Sequence, residues 1–220
     1  MNSETKLFAG IIGVTAVIII GAAFIFSRPT NTPPVDPKLL LSADSYRTST
    51  ASAAVTMVNF GDFQCPACGA YHSVVKQLET KYKDTLTVVF RHFPLSIHPN
   101  AVPAAMAAEA AGKQGKFWEM HDKLYEAQSE WSDEKKTEDI FISYAKDMGL
   151  DAERFKKDLT DGELQKRINR DVTDANTLGI NATPTFYVNN IKIANPASLA
   201  EFDAIIQAAI TKSASPSAAK

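Results

Sequence analysis

The sequence predicts an α/β domain in which a β-α-β unit and a closing β-β-α unit flank a long helical block, behind an apolar N-terminal segment. Three observations carry that prediction. Two β-branched runs stand on either side of an amphipathic stretch that begins at Pro66; the period turns helical after Phe93-Pro94; and strand signals return after Pro184 around a paired-Asn turn. Composition suits a folded chain, with 45% of 220 residues hydrophobic and 22% charged. Its 23 basic and 25 acidic side chains leave a net charge of −2. Phosphate binding needs clustered excess Lys and Arg, so nucleic acid is set aside as a partner.

A short flank, residues 1–6, precedes an uncharged run from Leu7 to Phe26. As a helix rising 1.5 Å per residue it would reach about 30 Å, the depth of a bilayer core. A cleavable signal has a shorter apolar region and a small-residue cleavage site, and none directly follows Phe26. The run 7–26 is therefore expected to be a single transmembrane anchor. Lys6 and the α-amino group before it balance Arg28 and Lys38 after it, so the side on which the domain lies must be argued from chemistry. Residues 27–52 are rich in Pro, Ser and Thr and read as a semi-rigid spacer. The folded domain is expected over 53–212, and 213–220 as a frayed tail.

Within that domain, Ala54–Phe60 is β-branched and mostly apolar, as suits a strand buried in a sheet. Pro66 fits the first position of a helix, where its missing N–H is no loss. Ala70, Val74, Leu78 and Tyr82 continue at helical spacing to about Lys81, and Thr85–Arg91 is the next strand. Helical stripes then run through Asn100–Gly112, Lys116–Gln128 and Ile140–Met148, the last closed by Gly149. Asp151 and Asp161 are placed to cap two more helices, the second ending near Gly179. Thr185–Val188 and Ile191–Ile193 pair as a hairpin across Asn189-Asn190, whose residues tolerate positive φ. A helix over about Ser198–Thr211 covers the sheet.

Both cysteines of the chain fall in Cys65-Pro66-Ala67-Cys68, at the predicted strand-to-helix turn. With Pro66 as the first helical residue, Cys65 is the N-cap, and its sulfur faces unpaired N–H groups and the positive end of the helix dipole. A thiolate is favoured there, so Cys65 is expected to attack and Cys68 to resolve. Stabilising the reduced form in this way makes the disulfide a better oxidant. Other uses of the pair fit less well. A structural disulfide would close a loop too small to stabilise much. Zinc would need ligands from among His72, His92, His98 and His121, and no second CxxC or HxxxH is present. A tethered binding module with a structural CxxC is the competing reading from another class. Thr183-Pro184 before the third strand is open between a cis bond and an ordinary strand-start proline.

Four segments together, GDFQCPACGAYH (61–72), FRHFPLSIHPNA (90–101), AAEAAGKQGKFWEMHDKLY (107–125) and GINATPTFYVNN (179–190), resemble the DsbA-like thiol-disulfide oxidoreductases of the thioredoxin superfamily. The resemblance implies a thioredoxin-like fold with an inserted helical domain, about residues 98–178, preceded here by the transmembrane helix. It implies Cys65 as nucleophile, Cys68 as resolving thiol, Pro184 as a cis proline beside them and Thr183 as a substrate contact, with Pro66 and Ala67 shaping the site. Cysteine-containing exported proteins are the implied substrates, and a membrane or soluble redox partner recycles the enzyme. The Cys65–Cys68 disulfide itself carries the electrons, and no metal or other cofactor is expected. Disulfide chemistry would place the domain on the extracytoplasmic side of a single-pass cell-membrane anchor, with the N-terminus cytoplasmic. Two residues depart from the pattern: Ala67 stands where strongly oxidising members carry His, and Gln64 where plain thioredoxins have Trp. Asp62 is read as a turn or cap residue, and His98 is given no catalytic role.

Overall fold

The computed structural model describes residues 33–49 and 53–214. The chain divides into two units, Met1–Pro33 and Pro34–Lys220, and the features below belong to the second. The anchor expected over 7–26 lies outside the described residues, as do residues 27–32 and 50–52 of the spacer and 215–220 of the tail. The localisation expected from sequence is corrected: among the described residues no helix is long and apolar enough to cross a membrane. The longest of them have 16 residues and buried stripes facing a core, whereas a span needs about 20 apolar residues. The single-pass membrane placement is accordingly withdrawn.

Residues 35–49 pack onto the rest of this unit. Asp36 caps helix α1 (Pro37–Leu40) by accepting from Lys38 N–H at 2.9 Å. Leu40 is fully buried among Val58, Phe60, Val89 and Tyr187. Further along, Thr48 N–H donates to Val88 O at 3.0 Å and Trp118 Nε1–H to Arg47 O at 3.1 Å. The Tyr46 ring stacks on Phe117 at 3.6 Å. Proline content described this strap poorly, because its leucines and aromatics find apolar surface to cover.

Strand β1 (Val55–Gly61) leads through helix α2 (Pro66–Lys81) to strand β2 (Leu86–His92), which pairs parallel with β1, Met57 opposite Val88. A parallel pair needs such a crossover. Because strand side chains alternate, Val55 and Met57 meet α2 and the C-terminal helix, while Val58 and Phe60 enter the core beneath α1.

The helical block follows as α3 (Ala101–Gly112), α4 (Phe117–Glu126), α5 (Gln128–Trp131), α6 (Glu138–Asp147), α7 (Ala152–Asp158) and α8 (Gly162–Thr177). The alanines of α3 are buried nearly all round, which lets neighbouring helices approach closely. Asp151 and Asp161 cap α7 and α8 as expected, accepting from Arg154 N–H at 3.0 Å and Glu163 N–H at 2.7 Å. One expected helix is broken: Lys116–Gln128 ends at Glu126. Trp131 Nε1–H takes up the Leu124 carbonyl at 2.9 Å, and the Gln128 side chain turns inward.

Strands β3 (Thr185–Val188) and β4 (Ile191–Lys192) are antiparallel and complete the sheet in the order β2-β1-β3-β4. Asn189 and Asn190 take φ of 46° and 67° at the turn between them. Helix α9 (Leu199–Ala214) lays Phe202 and Ile206 on the sheet. Arg91, fully buried on β2, ties sheet to insertion. Its Nε lies 2.8 Å from Asp171 as an ion pair without good hydrogen-bond alignment, and Nη2 donates to Asp174 at 2.5 Å.

Candidate active site

The site is built where β1 ends and α2 begins. Cys65 has extended backbone angles, φ −69° and ψ 120°, and is the N-cap; Pro66 opens the helix, as expected. Both cysteines are free thiols, 7% and 3% exposed, while Pro66 and Ala67 face solvent. The Thr183-Pro184 bond is cis, which closes the question left open by the bare residues. The Cys65 thiol lies 3.5 Å from the Thr183 carbonyl oxygen. All six expected site residues thus gather at one helix end or beside it.

Electrostatics separate the two sulfurs. The Cys65 pKa falls from 9.0 to about 5, chiefly because the Cys68 thiol donates to the Cys65 thiolate. Burial opposes that fall; the Thr183 hydroxyl and the Cys68 and Ala67 N–H groups assist it. The Thr183 hydroxyl is buried with no other partner among the described residues, so it is free to serve the thiolate. Cys68 moves the other way, well above the ordinary thiol range, because burial penalises its charge and its hydrogen is spent on Cys65.

A polar shell from distant segments fixes the turn. Gln128 Nε2 donates to the carbonyls of Phe63 at 2.6 Å and Cys65 at 3.0 Å. Gln64 Nε2 donates to Ser132 O at 2.6 Å, and its Oε1 accepts from Asn100 N–H at 2.6 Å. Asp62 accepts from Gln64 N–H at 2.8 Å and Leu95 N–H at 2.9 Å, and pairs with His98 at 2.6 Å. Those partners match the turn and cap role read for Asp62, and they make His98 its neighbour. Gln128 and Asn100 were not singled out from sequence, since isolated amides in helical stretches carry no local signal.

The four histidines disperse. His92 meets Glu109 at 3.1 Å and His98 meets Asp62, whereas His72 and His121 both meet Asp122 Oδ1, at 3.0 and 2.9 Å. Among the described residues, His72, His121 and Asp122 form the one group of three whose ligand-type atoms lie within 4.8 Å of one another, and it contains neither cysteine. Asp122 also accepts from Lys76 Nζ at 2.8 Å, so these atoms already satisfy one another. Burial keeps His121 neutral by lowering its pKa to about 4, and its donors hold Asp122 well below the carboxylate range.

A thiol pair at a helix start, one sulfur tuned toward thiolate beside a cis proline on this sheet, defines the class of thioredoxin-fold thiol-disulfide oxidoreductases. The chain matches the family described as Thioredoxin over residues 48–208. It is 31% identical over 216 residues to the probable disulfide bond formation protein D of Bacillus anthracis, covering 94% of this chain and 97% of that one. The crystal structure of oxidised BdbD from Bacillus subtilis superposes with a TM-score of 0.69 at 26% identity, covering 82% of this chain and 97% of that one. The Na(+)/H(+) antiporter NhaA 1 of Salinispora arenicola shares 43% identity over 157 residues, 71% of this chain. Those residues are only 22% of the antiporter's own length. The chain belongs to the thioredoxin family.

Proposed function

We propose that the protein introduces disulfides into cysteine-containing exported proteins through Cys65 and Cys68. The observation that carries this reading is the opposed tuning of the two sulfurs, with Cys65 lowered to about 5 and Cys68 raised by burial. A substrate thiolate attacks Cys65 Sγ of the enzyme disulfide, the Cys65–Cys68 bond breaks, and Cys68 leaves and takes up a proton. A second substrate thiolate then attacks the substrate sulfur of the mixed disulfide, and Cys65 departs as the thiolate its surroundings favour. Two electrons pass from substrate to enzyme, and a separate redox partner must withdraw them. The Thr183 backbone beside Cys65 suits pairing with an extended substrate segment in the manner of an added strand.

The same groups run backward in a reductase or isomerase, so the reduction potential decides the direction. Trapping tests the exchange itself. In cells expressing the full chain, Cys68→Ala is expected to accumulate mixed disulfides with exported proteins, and Cys65→Ala to accumulate none. A Cys68→Ala protein that captures no partner would sink the proposal.

A further inference from the structure

Cys68 poses a chemical problem that the exchange cycle leaves open. Its thiol is 3% exposed and strongly disfavours the charged form, yet each cycle requires a proton to reach it or leave it. Bulk water cannot serve a sulfur at that depth, so a protein group must.

A small cavity of about 10 Å³ lies behind Cys68, bordered by His72, His121, Tyr125, Asn59 and Glu79. That is about the room one water molecule needs. Two buried polar atoms on its walls, Asn59 Oδ1 and the Tyr125 hydroxyl, have no partner among the described residues. Tyr125 is 6% exposed, and it borders the same cavity as Cys68. His72 sits four residues beyond Cys68 on α2, so both side chains project from one face about 5–6 Å apart at Cβ. Its Nε2 faces Asp122 Oδ1 at 3.0 Å. A carboxylate only accepts, so Nε2 carries the ring hydrogen and Nδ1 is left as the acceptor. Protonation of Nδ1 produces an imidazolium already paired with Asp122.

We propose that His72, oriented by Asp122, takes the proton from the Cys68 thiol and returns it, across the cavity that Asn59 and Tyr125 border. This rests on the exchange reading above. When Cys68 closes a mixed disulfide, its S–H proton passes to His72 Nδ1, its sulfur bonds to Cys65 Sγ, and the partner leaves as a thiolate. In the opposite direction Cys68 departs from Cys65 with the electron pair of the disulfide and His72 supplies the proton. Other ionisable groups face His72. From α4 these are Asp122, His121 and Tyr125; from α2 they are Cys68, Lys76 and Glu79. Glu79 is held by Lys76 at 3.2 Å, and His121 shares the Asp122 oxygen that His72 uses. Of the two imidazoles, His72 shares the helix face of Cys68.

Acid-quenched mixing of the reduced full chain with oxidised glutathione separates the two steps, from pH 5 to 9. Formation of the glutathione adduct reports on Cys65, and its closure to the internal disulfide reports on Cys68. In His72→Gln, adduct formation is expected at the wild-type rate, which also shows that the α2 start is intact. Closure is expected to slow tenfold or more, with a rate that climbs through the whole pH range where the wild type levels off. Asp122→Asn is expected to slow closure as well. Wild-type closure rates and pH profile in His72→Gln would overturn the assignment, as would a loss confined to Glu79→Gln. A wild-type protein that forms no adduct would instead defeat the exchange reading beneath it.

Discussion

The Cys65 sulfur lies 3.5 Å from the carbonyl oxygen of Thr183, a residue that precedes a cis proline on the far side of the helical insertion. The contact depends on β1 and β3 being neighbours, with Phe60 opposite Thr185. One strand runs into the turn that carries Cys65, and the other begins directly after Pro184. The insertion therefore adds walls to the site without separating its two halves.

Cys65 should be reactive in mildly acidic solution. Its alkylation rate by iodoacetamide, followed by mass spectrometry, is expected to inflect near pH 5, as its pKa of about 5 requires. An ordinary thiol inflects near 8.5. A depressed pKa stabilises the folded reduced protein fully above the unfolded value, and that contribution is lost as pH falls toward 5. The urea midpoint of the reduced form relative to the oxidised form should therefore drop between pH 9 and pH 5.

Ala67→His would place an imidazole donor beside the exposed edge of the Cys65 thiolate. Added thiolate stabilisation raises the potential of the couple by about 30 mV for each 1.4 kcal/mol. Equilibration with glutathione should show that rise, and an unchanged or lower potential would count against the tuning described.

Gly61 ends β1 directly beneath the site. A Cβ there would stand 2.6 Å from the Phe90 ring and 2.9 Å from the Tyr125 hydroxyl. Gly61→Ala should destabilise the protein by about 1–3 kcal/mol in urea unfolding.

Arg91→Leu would leave Asp171 and Asp174 without the buried guanidinium that neutralises them. Removing one partner of such a cluster costs about 3–5 kcal/mol. A urea midpoint close to that of the wild type would show that the ion pairs contribute little.

Much of the fold was legible because local signals agreed with one another. Pro66 marked the start of α2, Asp151 and Asp161 marked two caps, and Asn189-Asn190 marked the hairpin. The two cysteines were conspicuous for being the chain's only ones, and the surrounding motifs supplied the cis geometry of Pro184. What escaped was tertiary. Residues 33–49 read as spacer because proline content says nothing of the surface on which Leu40 packs. The amide shell of Gln64, Asn100 and Gln128 escaped for a similar reason, since its members are far apart in sequence and meet only on folding. His72 was visible as a possible metal ligand, while its alignment with Asp122 depends on how α4 packs against α2.

The reduction potential of the Cys65–Cys68 couple, equilibrated with glutathione at pH 7, tests the proposed oxidase most directly. A stabilised Cys65 thiolate predicts a value well above about −200 mV, toward the oxidising end of the thioredoxin-fold range. A value near −270 mV, like that of thioredoxin, would contradict it.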